Sequence, residues 1–427
     1  MSEIIWDLAL IQKYNQSGPR YTSYPTALEF NEQYTNEDFI AAAQRYPTRP
    51  LSLYVHIPFC HKLCYFCACN KVITRHQHKA DIYLDFLERE IKERSTLFTN
   101  RVATQVHWGG GTPTYLTEEQ SARLMNMLRE HFKIAENAEI SIEMDPREIE
   151  LSMLDHLRNI GFNRISMGVQ DFNKDVQKAV NREQDETFVN ALLMRARELG
   201  FQSTNLDLIY GLPRQTLEDI QHNLDIVKDL PINHISTYGL QVEVGTYLYH
   251  LVQKNLISIP SETIDESMYD TMMEGLKDLG FERYEISNFA KANSYSRHNL
   301  KYWHYIDYLG FGAGAHSFYD GVRRSNNRNV MPYIQSVDRY IMPTIDTETI
   351  TLERAQEDFC FLALRTKWGL DKQKFEDKFG VSIHDLFATT LEDLVSKGLL
   401  EYQNASYHLT AEGAKHGNYV FSQFIRE

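Results

Sequence analysis

Four of the five cysteines in this 427-residue chain fall within ten positions: Cys60, Cys64, Cys67 and Cys69, with Cys360 far away. The run His56-Ile57-Pro58-Phe59-Cys60-His61-Lys62-Leu63-Cys64-Tyr65-Phe66-Cys67 sets three of them in a C-x3-C-x2-C spacing. An odd, clustered set is not a disulfide framework, which spreads its cysteines along the chain. Thiolates are soft ligands suited to iron–sulfur clusters and to zinc. A structural zinc site wants four closed ligands, usually from two separated pairs, and no second pair follows here. Three thiolates around a [4Fe–4S] cube leave one iron open to a substrate or cofactor. On spacing alone, a zinc loop closed by Cys69 or His61 remains the alternative.

These residues need a scaffold, and the sequence supplies one. The cysteine run directly follows a β-branched stretch, residues 51–57. Further candidate strands lie at 104–108, 139–143, 164–169, 203–209 and 234–242. Between them run helical patterns at 79–94, 117–132 and 216–229, with Thr117 and Gln120 placed as a capping box. A further helix is expected over 262–278. Strands alternating with helices imply βαβ units and a parallel sheet. The expected fold class is therefore α/β, a partial (β/α)6 barrel with ligands at the C-terminal ends of its strands. The run Trp108-Gly109-Gly110-Gly111-Thr112-Pro113-Thr114 follows the second strand, where glycines let backbone approach a ligand closely. Residues 1–50 read as an arm. Residues 51–330 read as the barrel and an aromatic, glycine-rich extension. Residues 331–427 read as a helical, winged-helix-like domain with a hairpin near 399–409.

Composition narrows the function. With 43% hydrophobic and 24% charged residues, the chain is globular rather than disordered. A net charge of −14 argues against non-specific binding to nucleic acid or to anionic membranes. No apolar run is long enough for a membrane span. The acidic start, Met1-Ser2-Glu3-Ile4-Ile5-Trp6-Asp7, lacks a basic n-region, so a cytoplasmic location is expected.

The cysteine spacing, its aromatic Phe66 and the glycine run after the second strand resemble the radical S-adenosylmethionine (SAM) superfamily. Over residues 1–230 the chain resembles the oxygen-independent coproporphyrinogen III oxidases. The strings are Ser17-Gly18-Pro19-Arg20-Tyr21-Thr22-Ser23-Tyr24-Pro25-Thr26, the extra Cys69, Asp145-Pro146-Arg147, Met167-Gly168-Val169-Gln170-Asp171-Phe172 and Asp207-Leu208-Ile209-Tyr210-Gly211-Leu212-Pro213. From about 231 it resembles the sister family of heme chaperones, through Ser236-Thr237-Tyr238-Gly239-Leu240, Tyr284-Glu285-Ile286-Ser287-Asn288-Phe289, Arg297-His298-Asn299-Leu300-Lys301-Tyr302-Trp303 and Gly310-Phe311-Gly312-Ala313-Gly314-Ala315-His316-Ser317.

The resemblance implies a [4Fe–4S] cluster on Cys60, Cys64 and Cys67, with SAM on the open iron. Tyr54 and Phe66 would flank cluster and adenine, and Gly110, Gly111 and Thr112 would meet the methionine amino group. Glu143 would accept from a cationic amine or a ribose hydroxyl. Gln170 can donate and accept, Arg182 would pair the SAM carboxylate, and Asp207 would bind ribose hydroxyls. Tyr54 and Cys69 are the catalytic candidates. Arg20, Tyr21 and Tyr24 would meet the propionates of a tetrapyrrole. His298 is the possible heme ligand, and Cys360 reads as core. The implied partners are a tetrapyrrole substrate or heme, and an electron donor. Two readings follow: oxidative decarboxylation of coproporphyrinogen III to protoporphyrinogen IX, or heme binding and delivery with the same cluster and SAM. Under both, Cys64→Ser is predicted to abolish a full cluster and SAM cleavage, as measured by iron and sulfide analysis and by methionine release.

Overall fold

The computed structural model describes residues 36–45 and 48–426. The arm string 17–26, with Arg20, Tyr21 and Tyr24, lies outside the described residues. Six parallel strands pair in sequence order: β1 (Leu51–Ile57), β2 (Val102–Gly110), β3 (Lys133–Met144), β4 (Arg164–Gln170), β5 (Ser203–Tyr210) and β6 (His234–Gly239). Helices between successive strands cover the outer face, among them His78–Ser95, Glu118–His131, Glu186–Glu198 and Leu217–Asp229. This is the expected partial (β/α)6 barrel. Thr117 and Gln120 form the reciprocal capping box at the start of Glu118–His131. β6 stops at Gly239, short of the expected 242. Its partner β5 ends at Tyr210, and once Leu240 N–H has donated to Tyr210 O (2.9 Å) there is no edge left to follow.

Every barrel strand alternates, and the alternation separates two environments. Leu53, Val55, Val106, Trp108, Ile140, Ile142, Ile165, Met167, Leu206, Leu208 and Ile235 are buried in one apolar core. The intervening positions are polar. His107, Ser141, Glu143, Arg164, Ser166, Asn205, Asp207, His234, Ser236 and Tyr238 all line a cavity of about 110 Å³ inside the barrel. A parallel sheet covered by helices buries both faces, so polar groups at these positions commit the interior to binding rather than to packing.

The segment after β6 completes the sheet on both edges, which the sequence reading did not anticipate. β7 (Glu282–Arg283) and β8 (Asn288–Ala290) add antiparallel strands beside β6. β9 (Leu309–Phe311) then pairs parallel with β1. Between them the helix Arg297–Trp303 crosses beneath the barrel. Its first N–H groups, on Arg297 and His298, donate to the Glu139 carboxylate on β3 at 3.1 and 3.0 Å. A carboxylate at a helix N-terminus satisfies orphan donors and complements the dipole.

A buried carboxylate fixes β9 in place. Glu90, in helix His78–Ser95, accepts from Arg94 Nη1 (2.8 Å), Gly312 N–H (2.8 Å), Tyr333 Oη (2.7 Å) and Asn326 Nδ2 (2.9 Å). Arg94 in turn donates to Gly310 O at 2.7 Å. Beyond the barrel, an antiparallel sheet of Ser317, Arg324 and their neighbours leads to a second apolar core that runs from Cys360 to Phe424. Cys360 is a buried member of that core. The expected hairpin is present as Leu400–Gln403 with Ser406–Leu409. No helix of the described residues is long and apolar enough to cross a membrane. Glu90→Leu leaves Arg94 buried without its carboxylate and is predicted to cost about 3–5 kcal/mol, read from the denaturant midpoint.

Candidate functional site

The cysteine loop begins where β1 ends. Its backbone is tied to three other connections of the barrel. Gly111 N–H donates to Ile57 O and Thr112 N–H to Phe59 O, both at 2.9 Å. Asn181 Nδ2 donates to Leu63 O at 2.6 Å, and Tyr65 N–H to Val180 O at 3.0 Å. Leu248 N–H donates to Tyr65 O at 2.9 Å. The glycine run is what lets the strands come so close. Gly110 has a positive φ of 115°, and a Cβ there would sit 2.7 Å from the His56 ring. A Cβ on Gly111 would lie 2.8 Å from Phe59 O and 3.0 Å from Cys60 Sγ. The structure thus places Gly110, Gly111 and Thr112 against the cysteine loop, and Thr112 Oγ1 donates to Cys60 Sγ at 3.4 Å.

The four clustered thiols have different surroundings. Cys60 and Cys64 are buried, Cys67 is partly buried, and Cys69 is exposed at the barrel mouth. Burial pushes the Cys60 thiol up to about 11. Cys67 is drawn down to about 6, first by a hydrogen bond from the Cys69 thiol and also by the charge of Lys71. Cys64 receives two guanidinium donors: Arg182 Nη1 at 3.1 Å and Arg147 Nη2 at 3.2 Å. Among the described residues, no group of three or more His, Cys, Asp or Glu side chains converges on a single ion position. In a cluster, each thiolate binds a different iron. Donated N–H and O–H groups around Cys60 and Cys64 are the outer contacts such thiolates require.

The remaining candidates gather at the mouth above the polar interior. Glu143 accepts from Gly110 N–H at 3.3 Å, and its other oxygen lies 3.2 Å from His107 Nε2. Asp207 is held by Asn205 Nδ2 at 2.7 Å and Ser166 Oγ at 3.2 Å. Burial, with the nearby charge of Glu143, raises it to about 6. Two carboxylates side by side at the mouth fit a cationic ligand, such as the sulfonium and ammonium of SAM. Gln170 ends β4 with φ +74°, where the pairing register also shifts. A non-glycine residue held there stores roughly 1–3 kcal/mol of strain, a common mark of a functional position. Phe66 packs on the apolar group of Val176, Val180, Ile209 and Leu212.

Three of the expected site residues make close contacts within the protein itself. The fork of Arg182, expected on a SAM carboxylate, is taken by Cys64, by Asp145 Oδ2 (3.2 Å) and by Gly168 O (2.5 Å), while its buried Nε has no protein partner. Tyr54 stacks on the His107 and His298 rings, and its hydroxyl lies 3.0 Å from His56 Nδ1. His298 is buried in the barrel floor. Its Nδ1 is 3.0 Å from Lys301 Nζ, and its Nε2 is 3.4 Å from Tyr302 Oη. Burial keeps both His298 and Lys301 well below their usual pKa ranges. Ligation of heme by His298 would require this packing to open.

Sequence reasoning gave no role to His107, Asp145, Arg147 or Lys301. His107 was within reach, because it occupies the inward phase of β2, two residues before Gly109. It stacks on His298 at 3.6 Å between ring centroids. It thereby links the floor helix to Glu143.

Residues 54–227 match the family model of the radical SAM superfamily, and residues 350–414 match that of the HemN C-terminal domain. The chain is similar to an oxygen-independent coproporphyrinogen III oxidase of Salmonella typhimurium, 45% identical over 426 residues, covering 96% of this chain and 93% of the relative. It is also similar to the heme chaperone HemW of Bacillus subtilis, 38% identical over 377 residues, covering 88% of this chain and 99% of the relative. The solved coproporphyrinogen III oxidase (HemN) from Escherichia coli, described as a radical SAM enzyme, superposes with a TM-score of 0.87 at 41% identity, over 98% of both chains. The likeness to the oxidases therefore runs through the C-terminal half as well.

His298→Ala removes the prop under His107 and is predicted to weaken SAM binding about tenfold, about 1.4 kcal/mol, with iron content unchanged. Equilibrium binding to the cluster-loaded protein measures it, and an unaltered affinity would show that the stack does not support Glu143.

Proposed function

Because this chain belongs to the family of oxygen-independent coproporphyrinogen III oxidases within the radical SAM superfamily, we propose that it decarboxylates coproporphyrinogen III to protoporphyrinogen IX without oxygen. Its cofactors are a [4Fe–4S] cluster and SAM. When bound, they supply reductive cleavage of a C–S bond and, with it, an abstractor of hydrogen atoms.

Each of two propionates loses one hydrogen atom from its β-carbon. The bond to the carboxylate then breaks, CO2 leaves, a vinyl double bond forms, and one electron passes to a one-electron acceptor. The chain's residues bind, orient and shield. In this reading Cys60, Cys64 and Cys67 hold the cluster, and Thr112 and Arg182 donate to two of those sulfurs. Glu143 and Asp207 receive the cationic and hydroxyl groups of SAM, with Gln170 at the end of β4 and Gly110 and Gly111 beneath. Tyr54 and Phe66 wall the site, and Cys69 faces the mouth beside Cys67. The observation that carries the reading is the three-thiol loop pinned at the mouth of a polar barrel directly beside two carboxylates.

The family resemblance also supports a division into an arm over 1–50, a barrel and extension over 51–330, and a C-terminal domain over 331–427. The helix Val330–Asp338 packs on the barrel, through Tyr333 to Glu90. A second reading, heme binding without dehydrogenation, has support from the likeness to HemW. The enclosed ring of His298 gives it less support.

The test is anaerobic: reconstituted protein, dithionite, SAM, coproporphyrinogen III and an electron acceptor, followed by mass spectrometry. Products lighter by one and then two formic-acid equivalents are expected. SAM cleavage or heme binding with no decarboxylation would transfer the function to the second reading.

A further inference from the structure

Arg147 has been given no role beyond its bond to Cys64, and its guanidinium is buried against that cysteine. Its side chain is 4% exposed, and that of Asp145 10%. The fork is fully engaged. Nε donates to both Asp145 oxygens at 2.9 and 3.2 Å, and Nη2 donates to Asp145 Oδ2 at 2.6 Å and to Cys64 Sγ at 3.2 Å. Nη1 donates to Asn181 O at 2.8 Å. Asn181 in turn holds Leu63 O, in the cysteine loop. Arg182 completes the group, reaching both Cys64 Sγ and Asp145. Burial alone would raise the Asp145 carboxyl, but Arg182 and Arg147 hold it down at about 2. Asp145 is thus ionised throughout the working range. Two fixed cations and one fixed anion therefore surround one sulfur, leaving a net positive charge in a water-poor setting.

We propose that Arg147 is a positioning residue that, with Asp145 as its clamp, sets the reduction potential of the cluster through Cys64. The inference rests on the cluster reading above. Adding an electron to the cluster adds negative charge. Hydrogen bonds to ligand sulfurs and buried positive charge both stabilise the reduced form and raise the potential. The Asp145 carboxylate acts in the opposite direction and tempers the pair of arginines. The arrangement makes two substitutions at touching residues act with opposite signs. Loss of fold or of solvent exclusion has no reason to produce that pattern.

The experiment is an EPR-monitored redox titration of anaerobically reconstituted, SAM-free protein, with iron and sulfide determined on each sample. Arg147→Gln is expected to lower the reduced-to-oxidised ratio at a fixed potential at least tenfold, which is 59 mV for a one-electron couple. Arg147→Lys keeps the charge and is expected to shift the ratio by less than tenfold. Asp145→Asn is expected to shift it the other way, toward easier reduction. Shifts of the same sign in Arg147→Gln and Asp145→Asn, or no shift in either, would overturn the proposal. Loss of the cluster from both would also overturn it, since it would assign the pair to retention rather than to tuning. If Arg147→Gln alone loses its cluster, the upward shift in Asp145→Asn decides. A wild-type protein without a cluster would instead sink the cofactor reading, so the two failures are separable by iron content alone.

Discussion

The cysteine loop holds its shape with hydrogen bonds from elsewhere in the barrel as well as a short pairing of Phe59–Cys60 with Val72–Ile73. Its carbonyls accept from Gly111, Thr112, Asn181 and Leu248, which lie in the connections after β2, β4 and β6. Beyond that short pairing the loop's buried backbone groups must find partners. The barrel's strand ends supply them. The six-strand order therefore does more than create a pocket. It brings three distant connections within reach of one loop and fixes the directions in which Cys60, Cys64 and Cys67 point.

The same economy appears below the mouth. Inward positions of the strands are polar and mutually bonded: Ser141 with His107, His107 with Glu143, Ser166 and Asn205 with Asp207. The floor is closed by the helix Arg297–Trp303, whose His298 stacks under His107. The segment after β6 thus supports the barrel interior from below, and it also meets the cysteine loop, where Leu248 N–H donates to Tyr65 O and Asn70 Nδ2 donates to Ala313 O at 3.0 Å. This also explains how a histidine motif shared with heme chaperones can serve an enzyme. Here the ring is a packing surface for another ring, and its nitrogens are occupied by Lys301 and Tyr302.

Much of this was legible in the sequence, for physical reasons. β-branched runs of five to nine residues, separated by amphipathic stretches, revealed the parallel strands. Thr117 and Gln120 gave a helix start because a capping box is a local interaction. The cysteine spacing and the glycine run were legible because ligand geometry and close backbone approach restrict residue type directly. What stayed hidden was non-local. Arg147 meets Cys64 across 83 positions, and the Glu90 cluster joins residues up to 243 apart. β9 is three residues long and is defined by its pairing with β1 and by the bond from Arg94 to Gly310 O. The contacts of Arg182 with Cys64 and Asp145 join residues 118 and 37 positions apart, and only the fold brings them together.

Everything at the barrel mouth depends on an open-sited cluster held by three cysteines of one loop. Metal analysis with EPR of the reduced, anaerobically reconstituted protein, recorded before and after adding SAM, tests this most directly. The account predicts about four irons per chain and a cluster signal whose g-values change when SAM binds the open iron. One zinc per chain, or an iron–sulfur signal indifferent to SAM, would contradict it.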